Sequence, residues 1–153
     1  MKKIMFCRCD DRLIHGQINY KWLEHFNIKK IVIVDDIIPN DVLEKGIIHL
    51  ATPKNIKLDI LTVEQGMNYF KNTIDSEKEI VLVKKLCIVR ELYKNGVEIE
   101  KLNIGRIPTD IGKKKLRKNI YVNEEELKIM NEMKEKGIII SFQITPDDEE
   151  EIF

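Results

Sequence analysis

One stretch near the amino terminus combines residue types that suit phosphate chemistry, in the order Asp10-Asp11-Arg12-Leu13-Ile14-His15-Gly16-Gln17. A neutral imidazole is a competent nucleophile near neutral pH, so His15 can accept a phosphoryl group covalently. Arg8 and Arg12 each offer a guanidinium fork that matches phosphate oxygens. The stretch therefore indicates a site for an anion such as phosphate.

The same stretch ends where an amphipathic helix is predicted to begin, because apolar residues recur on one stripe between residues 18 and 26. A helix start offers free N–H groups and the positive end of the helix dipole. Phosphate is therefore expected to meet the helix start at Gly16 and Gln17, with Arg8 beside them. The alternative is that His15 only hydrogen-bonds its own loop, and local chemistry supports the two interpretations about equally.

Nucleotide-binding signatures are absent from the sequence. The first loop lacks a Gly-x-Gly-x-x-Gly pattern, and a Walker lysine loop occurs nowhere in the chain. A phosphate held on a nucleotide is therefore not the expected ligand.

The elements that must position this loop follow a regular alternation of short apolar runs and amphipathic segments. Strands are predicted at residues 4–9, 30–34, 56–61, 80–84, 102–104, 119–122 and 138–144, and helices at 17–26, 41–51, 63–71 and 88–95. Helix starts with capping boxes are predicted at Thr62 and Asn123, and helix stops at Gly96 and Gly137.

This alternation predicts one α/β domain over residues 1–153, with a doubly wound, mostly parallel central sheet of about six to seven strands and helices on both faces. Ligands bind such sheets at the carboxyl ends of the strands, which is where the His15 stretch falls. Two charged segments lie outside the alternation. The basic run at 113–118 is predicted to be a solvated face, rather than a surface for an acidic partner, and the acidic run at 147–151 a solvated terminus.

The composition limits the classes of partner. The 153 residues include 26 Lys or Arg and 26 Asp or Glu, so the formal net charge is zero. Nucleic-acid binding requires an excess of cations facing the phosphates, so it is not expected. Apolar runs are far shorter than the ~20 residues that cross a bilayer. The charged residues after Cys7 also leave no core for a signal peptide, which predicts a cytoplasmic location.

The cysteines and the remaining histidines do not indicate a metal site. Cys7 and Cys9 alternate on a predicted strand, whereas Cys87, His25 and His49 are scattered, and tetrahedral zinc sites show tighter paired spacing. The cysteines are interpreted as small core side chains. Trp22 lies on an apolar helix stripe, which favours core packing over contact with a partner.

The segment from Arg8 to Gln17, followed by Trp22, resembles the signature of the IIB subunits of the mannose/fructose/sorbose family of bacterial sugar phosphotransferase systems. Weaker matches follow at Asn40-Asp41, at Asn103-Ile104-Gly105 and at Gly137, so the resemblance extends along the chain. It implies a phosphocarrier that takes a phosphoryl group from a IIA protein and passes it to a sugar carried by the membrane subunits IIC and IID.

The resemblance also implies roles for individual residues. His15 is the residue that is phosphorylated, at its Nδ1 nitrogen by family habit. Arg12 stabilises the phosphate, and Asp10 orients the loop or the imidazole. The activity implied is that of a protein-Nπ-phosphohistidine–sugar phosphotransferase without a cofactor or a metal, attached peripherally to its membrane subunits. Because family members often associate, a homo-oligomer is also expected.

Some positions depart from the family pattern. Arg106 follows Gly105 where a second glycine is commoner, and it either adds positive charge near the phosphate or is exposed to solvent. Lys84 and Lys85 occupy a loop that often carries an aromatic residue and a proline.

Two other interpretations compete with the phosphocarrier. One is a receiver-like signalling module phosphorylated on aspartate, suggested by Asp10 and Asp11 after the first strand and by Lys84 after a later strand. The segment Asp59-Ile60-Leu61-Thr62 lacks the acceptor aspartate that such a module needs after its third strand. The other is a non-catalytic docking domain, which would have no need of the charged His15 stretch.

Overall fold

In the computed structural model, the backbone is described for residues 1–153, and the side chains are described for all of these except Gln17 and Ile18. Within this described chain, seven strands form the main sheet in the order β3-β2-β4-β1-β5-β8-β9. Their bounds are β1 Cys7–Asp10, β2 Lys30–Val34, β3 Lys57–Leu61, β4 Glu79–Val83, β5 Lys101–Arg106, β8 Ile139–Phe142 and β9 Glu151–Ile152. All neighbours are parallel except β8 and β9, which pair antiparallel.

The helices follow the strands as the alternation predicts. They are α1 Gly16–His25, α2 Val42–Ala51, α3 Val63–Asn72, α4 Leu86–Lys94 and α5 Glu124–Glu135. Capping boxes at Thr62 and Asn123 begin α3 and α5, which confirms both predictions. Gly96 and Gly137 have φ of +91° and +87° just beyond α4 and α5, a conformation that glycine adopts at little steric cost.

Two apolar layers lie on opposite faces of the sheet. Side chains alternate across each strand, so Ile31 and Ile33 of β2 pack with the layer that contains Trp22 of α1. Val32 and Val34 pack instead with the layer built from α3, α4 and α5. Helices therefore cover both faces, and the predicted doubly wound arrangement is confirmed.

The two cysteines of β1 lie inside the second layer. Cys7 and Cys9 are fully buried, which confirms that they are core side chains. Burial raises the pKa of the Cys7 thiol to about 12. Cys87 is half-buried on α4.

The carboxyl-terminal third departs from the prediction in two places. The predicted strand at 138–144 ends at Phe142, and the acidic run expected to be a solvated terminus returns as β9, where Glu151 pairs with Phe142. The basic run forms β6 (Lys114–Arg117), which pairs antiparallel with β7 (Ile120–Val122) in a hairpin beside β5. β6 is mostly exposed, which confirms the predicted solvated face, but it lacks the apolar alternation by which a strand could be predicted.

Candidate functional site

The His15 stretch lies where the winding of the sheet reverses. It leaves the carboxyl end of β1, between β4 and β5, and it leads into α1 on one face of the sheet. The chain leaving β4 turns to the opposite face, into α4. Such a divergence opens a crevice above the strand ends, which is where α/β sheets hold ligands.

Asp10 is the centre of the site's hydrogen bonding. Its side chain is 2% exposed, and its Oδ1 accepts hydrogen bonds from the backbone N–H and the Nε of Arg12, both at 3.0 Å. Its Oδ2 accepts from an Nη of Arg12 at 3.0 Å and from an Nη of Arg8 at 3.2 Å. Asp10 therefore fixes the Arg12 guanidinium by two side-chain hydrogen bonds and links it to Arg8.

The charges of this cluster favour one another. Burial alone would raise the pKa of Asp10, but hydrogen bonds from Arg12 and the charge of Arg8 outweigh burial, and the pKa lies below its ordinary value. The hydrogen bond to Asp10 raises the pKa of Arg12. Asp10 is thus an ionised carboxylate, and Arg12, whose side chain is 32% exposed, is a fixed cation at the surface of the site.

Arg8 lies beneath the loop instead of at its surface. The residue is completely buried, and its guanidinium donates to the Oδ1 of Asn103 and, at 2.9 Å, to the backbone carbonyl of Gln143. Its Cζ lies 5.4 Å from the centre of the Trp22 ring, in cation–π contact. The direct phosphate contact expected of Arg8 would require it to give up these bonds.

The support for Arg8 comes from residues for which the sequence suggested no physical role. Asn103 on β5 accepts from Arg8 and donates to the Oγ of Ser141 on β8 at 3.3 Å. A Cβ added at Gly105 would overlap the Arg8 guanidinium, so this position must be glycine for Arg8 to lie there. The visible signal was an asparagine and a glycine two residues apart, next to the apolar Leu102 and Ile104 of the same strand.

Helix α1 is fixed by contacts along its length. The Nε1 of Trp22 donates to the carbonyl of Ile144 at 2.9 Å, and the Nδ2 of Asn19 donates to the carbonyl of Leu13 at 2.6 Å. Trp22 is 2% exposed, which confirms its predicted place in the core. Leu13 is buried with a φ of 55°, a left-handed conformation that costs of order 1–3 kcal/mol in a residue other than glycine. Packing around Leu13 therefore holds the loop in a constrained shape.

His15 occupies the residue position just before α1. Its backbone is extended, with φ of −147° and ψ of 125°, and its side chain makes no capping hydrogen bond. Among the described residues, neither ring nitrogen has a hydrogen-bond partner, although both atoms are shielded from solvent. Neither nitrogen therefore meets the distance and angle of a hydrogen bond, although the Leu13 carbonyl lies near the ring.

The protonation of His15 follows from its surroundings. Burial lowers the pKa of His15, and the nearby Asp10 carboxylate and Leu13 carbonyl only partly oppose this effect, while Arg12 and Arg8 add to it. The imidazole is therefore neutral at neutral pH. A neutral imidazole keeps the lone pair that a nucleophile needs.

The start of α1 is open on its outer side. Gly16 is exposed with a φ of +47°, and a Cβ placed there would meet no atom within 4 Å. The first backbone N–H groups of α1 thus lie beside an approachable surface. The side chain of Gln17, expected to bind phosphate, lies outside the part of the chain that the structure describes.

Arg106 lies close to this loop. Its Nε is 3.3 Å from the Oδ1 of Asp11, and its side chain is 40% exposed. Arg106 therefore lies beside the His15 loop and is also in contact with solvent, and its contribution to a phosphate site stays a prediction. Its charge is partly balanced by Asp11.

The geometry does not favour a receiver-like module. The Asp10 carboxylate, which would bind magnesium in such a module, is fully used by Arg8 and Arg12. The Nζ of Lys84 lies 3.6 Å from Glu44 and forms an ion pair there. Among the described side chains, the His, Cys, Asp and Glu residues form no group of three or more that could hold a metal ion.

A helix that crosses a bilayer needs about 20 mostly apolar residues. None that the structure describes has both the length and the apolar character needed to cross a bilayer.

Comparison with known proteins gives a consistent result. The family model of the phosphotransferase-system sorbose subfamily IIB component matches residues 4–153. The N-acetylgalactosamine-specific phosphotransferase enzyme IIB component 1 of Escherichia coli (strain K12) is 26% identical over 149 residues, covering 97% of this chain and 94% of that protein. The sorbose-specific EIIB component of Lacticaseibacillus casei is 29% identical, covering 95% of this chain and 89% of the relative.

Solved structures agree in fold over the same length. The crystal structure of manxB from Thermoanaerobacter tengcongensis has a TM-score of 0.91 at 30% identity, covering 99% of this chain and 93% of that one. The IIB domain of the sorbose permease from Klebsiella pneumoniae also has a TM-score of 0.91, at 27% identity, covering 97% of this chain and 92% of that one. The family match spans nearly the whole chain, and the chain therefore belongs to the sorbose-subfamily IIB components, the phosphocarrier parts of sugar phosphotransferase systems.

Proposed function

We propose that His15 is the residue that carries the phosphoryl group, taking it from a phosphorylated IIA protein and giving it to a sugar held by the IIC and IID membrane subunits. The observation that carries this proposal is the state of His15: a shielded, neutral imidazole with both nitrogens unengaged by described residues, at an open helix start. In the alternative interpretation His15 only hydrogen-bonds its own loop. One of its ring nitrogens would then have a hydrogen-bond partner.

The transfer to the protein is a displacement at phosphorus. The lone pair of one His15 ring nitrogen, Nδ1 by family habit, forms the new N–P bond as the bond from phosphorus to the donor breaks. The attacking nitrogen carries no proton, because the neutral ring keeps its proton on the other nitrogen. In the second step a sugar hydroxyl forms an O–P bond, its proton is released, and the N–P bond breaks.

Positive electrostatics assist both steps. The equatorial oxygens of the phosphoryl group carry charge in the transition state, and Arg12 supplies a fixed guanidinium toward them. The N–H groups that begin α1, at Gly16 and Gln17, provide further donors. Asp10 is a positioning residue, because it orients Arg12 through two hydrogen bonds. Arg8 is assigned a positioning role behind Asp10, since its guanidinium is buried.

The partners proposed follow from the family. The name of one relative, the mannose-specific EIIAB component of Escherichia coli (strain K12), combines IIA and IIB, and this chain covers 42% of that protein. We assign this chain a separate IIA donor, a cytoplasmic location and peripheral attachment to IIC and IID.

A labelling experiment tests the proposal. Phosphoenolpyruvate carrying labelled phosphate, the general phosphotransferase proteins and a matching IIA are supplied to the wild-type chain, to His15→Ala and to the control His49→Ala, whose histidine is exposed on α2. Label is expected on the wild type and on His49→Ala only, stable in base and lost in acid. Unchanged labelling of His15→Ala, or label cleaved by hydroxylamine as from an acyl phosphate, would contradict the proposal.

The role of Arg12 is tested in the same assay. Arg12→Ala is expected to slow uptake of label by about 10²-fold, the effect of removing one preorganised group from a charged transition state. Circular dichroism is expected to be unchanged, because Arg12 is a third exposed and lies above the core. An unfolded Arg12→Ala would show that this arginine is structural.

A further inference from the structure

Helix α2 carries an apolar face that nothing in the described chain covers. Val42, Leu43, Ile47 and Leu50 are 86%, 75%, 57% and 89% exposed, whereas Ile48, on the inner side of the same helix, is 6% exposed. Leu43, Ile47 and Leu50 follow the spacing of one helical stripe. A helix at the surface of a monomer would carry polar side chains at these positions.

The face also contains a glycine without a reason inside the chain. Gly46 is an exposed residue in the middle of α2, and a Cβ added there would meet no atom within 4 Å. Glycine inside a helix destabilises it by about 1 kcal/mol relative to alanine. Nothing in the described fold requires this loss of helix stability, but a glycine between Leu43 and Leu50 would let a second helix approach closely.

The area of the face supports an interface. At on the order of 100 Å² for each aliphatic side chain, the four exposed residues of α2 present roughly 400 Å² of apolar surface, comparable with the largest patches that monomers expose. Adding the polar residues along both flanks brings this toward the ~800 Å² per partner of a specific interface. None of the residues in the stripe is charged, so no charge would be buried unpaired.

We infer that α2 is a homodimer interface, in which two copies of the helix pack antiparallel across a two-fold axis near Gly46. The face is self-complementary in this arrangement. Leu43 and Leu50 lie at nearly equal distances on either side of Gly46, so the two-fold axis places Leu43 of one copy beside Leu50 of the other. A second copy of the chain is therefore the partner that this arrangement of Leu43, Gly46 and Leu50 fits. The inference does not depend on the phosphate chemistry of His15.

Other exposed apolar residues provide a contrast. Ile74 and Ile111 are 89% and 99% exposed, but each lies singly in a loop, and scattered apolar residues on a surface are normal. They supply matched controls. The same substitution can be made at an exposed aliphatic residue inside the α2 face and at one outside it.

Sedimentation velocity over a wide range of protein concentration tests the inference. The wild type is expected to show a reversible monomer–dimer equilibrium, and Leu50→Glu is expected to weaken it by about 100-fold. Ile111→Glu should leave the equilibrium unchanged. Gly46→Ala should weaken association by about 10-fold while raising the thermal stability of the monomer, since the added Cβ enters open space and favours the helix.

Two results would overturn the inference. One is a wild-type chain that remains monomeric at high concentration; if Leu50→Glu then slowed phosphoryl uptake, the face would belong to the donor protein. The other is a dimer that Leu50→Glu does not weaken, which would place the interface elsewhere.

Cross-linking tests the orientation. On a Cys87→Ser background, a mixture of Leu43→Cys and Leu50→Cys chains is expected to form mainly the mixed disulfide. Seven residues of helix span about 10 Å, so in the antiparallel pair identical positions lie too far apart to bridge. Preferential bridging of each variant to itself would contradict the antiparallel arrangement.

Discussion

Helices α1 and α3 both begin at the carboxyl edge of the sheet, but their starts differ. At α3, the Oγ1 of Thr62 accepts from the backbone N–H of Gln65 at 3.1 Å, and the Thr62 N–H donates to the Gln65 side chain at 2.9 Å. At α1, His15 has the same extended backbone but makes no capping hydrogen bond. One helix start is satisfied internally, whereas the other keeps its donors and its dipole available to an anion.

The two starts are stabilised by different means. α3 has its capping box and Glu64 in its first turn. α1 has no acidic residue in its first turn and depends on its buried side chains, above all on Trp22, which donates to the carbonyl of Ile144. The difference shows that a helix can leave its first turn uncapped when tertiary contacts further along fix its position.

The largest effect is expected when His15 is replaced by a residue that would cap the helix. His15→Asn should abolish phosphorylation and also stabilise the chain by about 1 kcal/mol, because asparagine is a good N-cap. Labelling and urea denaturation measure the two effects. A variant that lost activity and was also less stable would show that His15 holds the loop together.

The buried charges below α1 provide the next largest effect. Asp10→Ala leaves the guanidinium of Arg8 buried without its carboxylate, and removing one partner of a buried pair costs about 3–5 kcal/mol. Urea denaturation should show this loss. The matched control is Asp147→Ala, which removes an exposed partner of Lys21 and should change stability little. Similar effects at both positions would mean that the Arg8–Asp10 pair does not anchor the site.

A smaller effect is expected at the capped helix. Thr62→Ala should lower the free energy of unfolding by about 1 kcal/mol, the usual cost of losing an N-cap side chain. Phosphoryl uptake should be unchanged, since α3 does not contribute to the His15 site. If Thr62→Ala altered uptake, the two helix starts would be coupled.

The smallest effect concerns pH. Because burial lowers the pKa of His15 below its ordinary value of 6.5, more than half of the imidazole should still be neutral, and able to take up a phosphoryl group, at pH 6.5. Uptake should fall only as the pH drops through the lowered pKa. Titration of the His15 ring by NMR measures the midpoint. A midpoint above 6.5 would contradict the burial seen here.

The architecture was predictable because most of its strands and helices have a local pattern. Alternation of apolar runs and amphipathic segments indicated the parallel sheet, and the rule that ligands lie at strand carboxyl ends placed the His15 stretch correctly. β6 and β9 were missed since neither shows apolar alternation: β6 is basic and mostly exposed, and β9 has only two residues. Pairing of such strands depends on neighbours that are distant in sequence.

The site was predictable in its residues but less so in their arrangement. The burial of Arg8 depends on Asn103, Gly105 and Gln143, which come from two other strand regions. The sequence around Arg8 in β1 would be the same whether its guanidinium were buried or exposed at the surface. Only the side chains that meet Arg8 in three dimensions distinguish a phosphate ligand from an internal support.

The bond from Arg8 to the carbonyl of Gln143 joins residues 135 positions apart, nearly the whole length of the chain. During synthesis, a chain that has not yet emerged as far as β8 therefore lacks a support of the phosphate loop. Contacts of such long range form late, after many shorter ones. The surroundings of Arg8 are thus complete only once β8 and Gln143 have been made, so a chain truncated before β8 would carry His15 without this support beneath its loop.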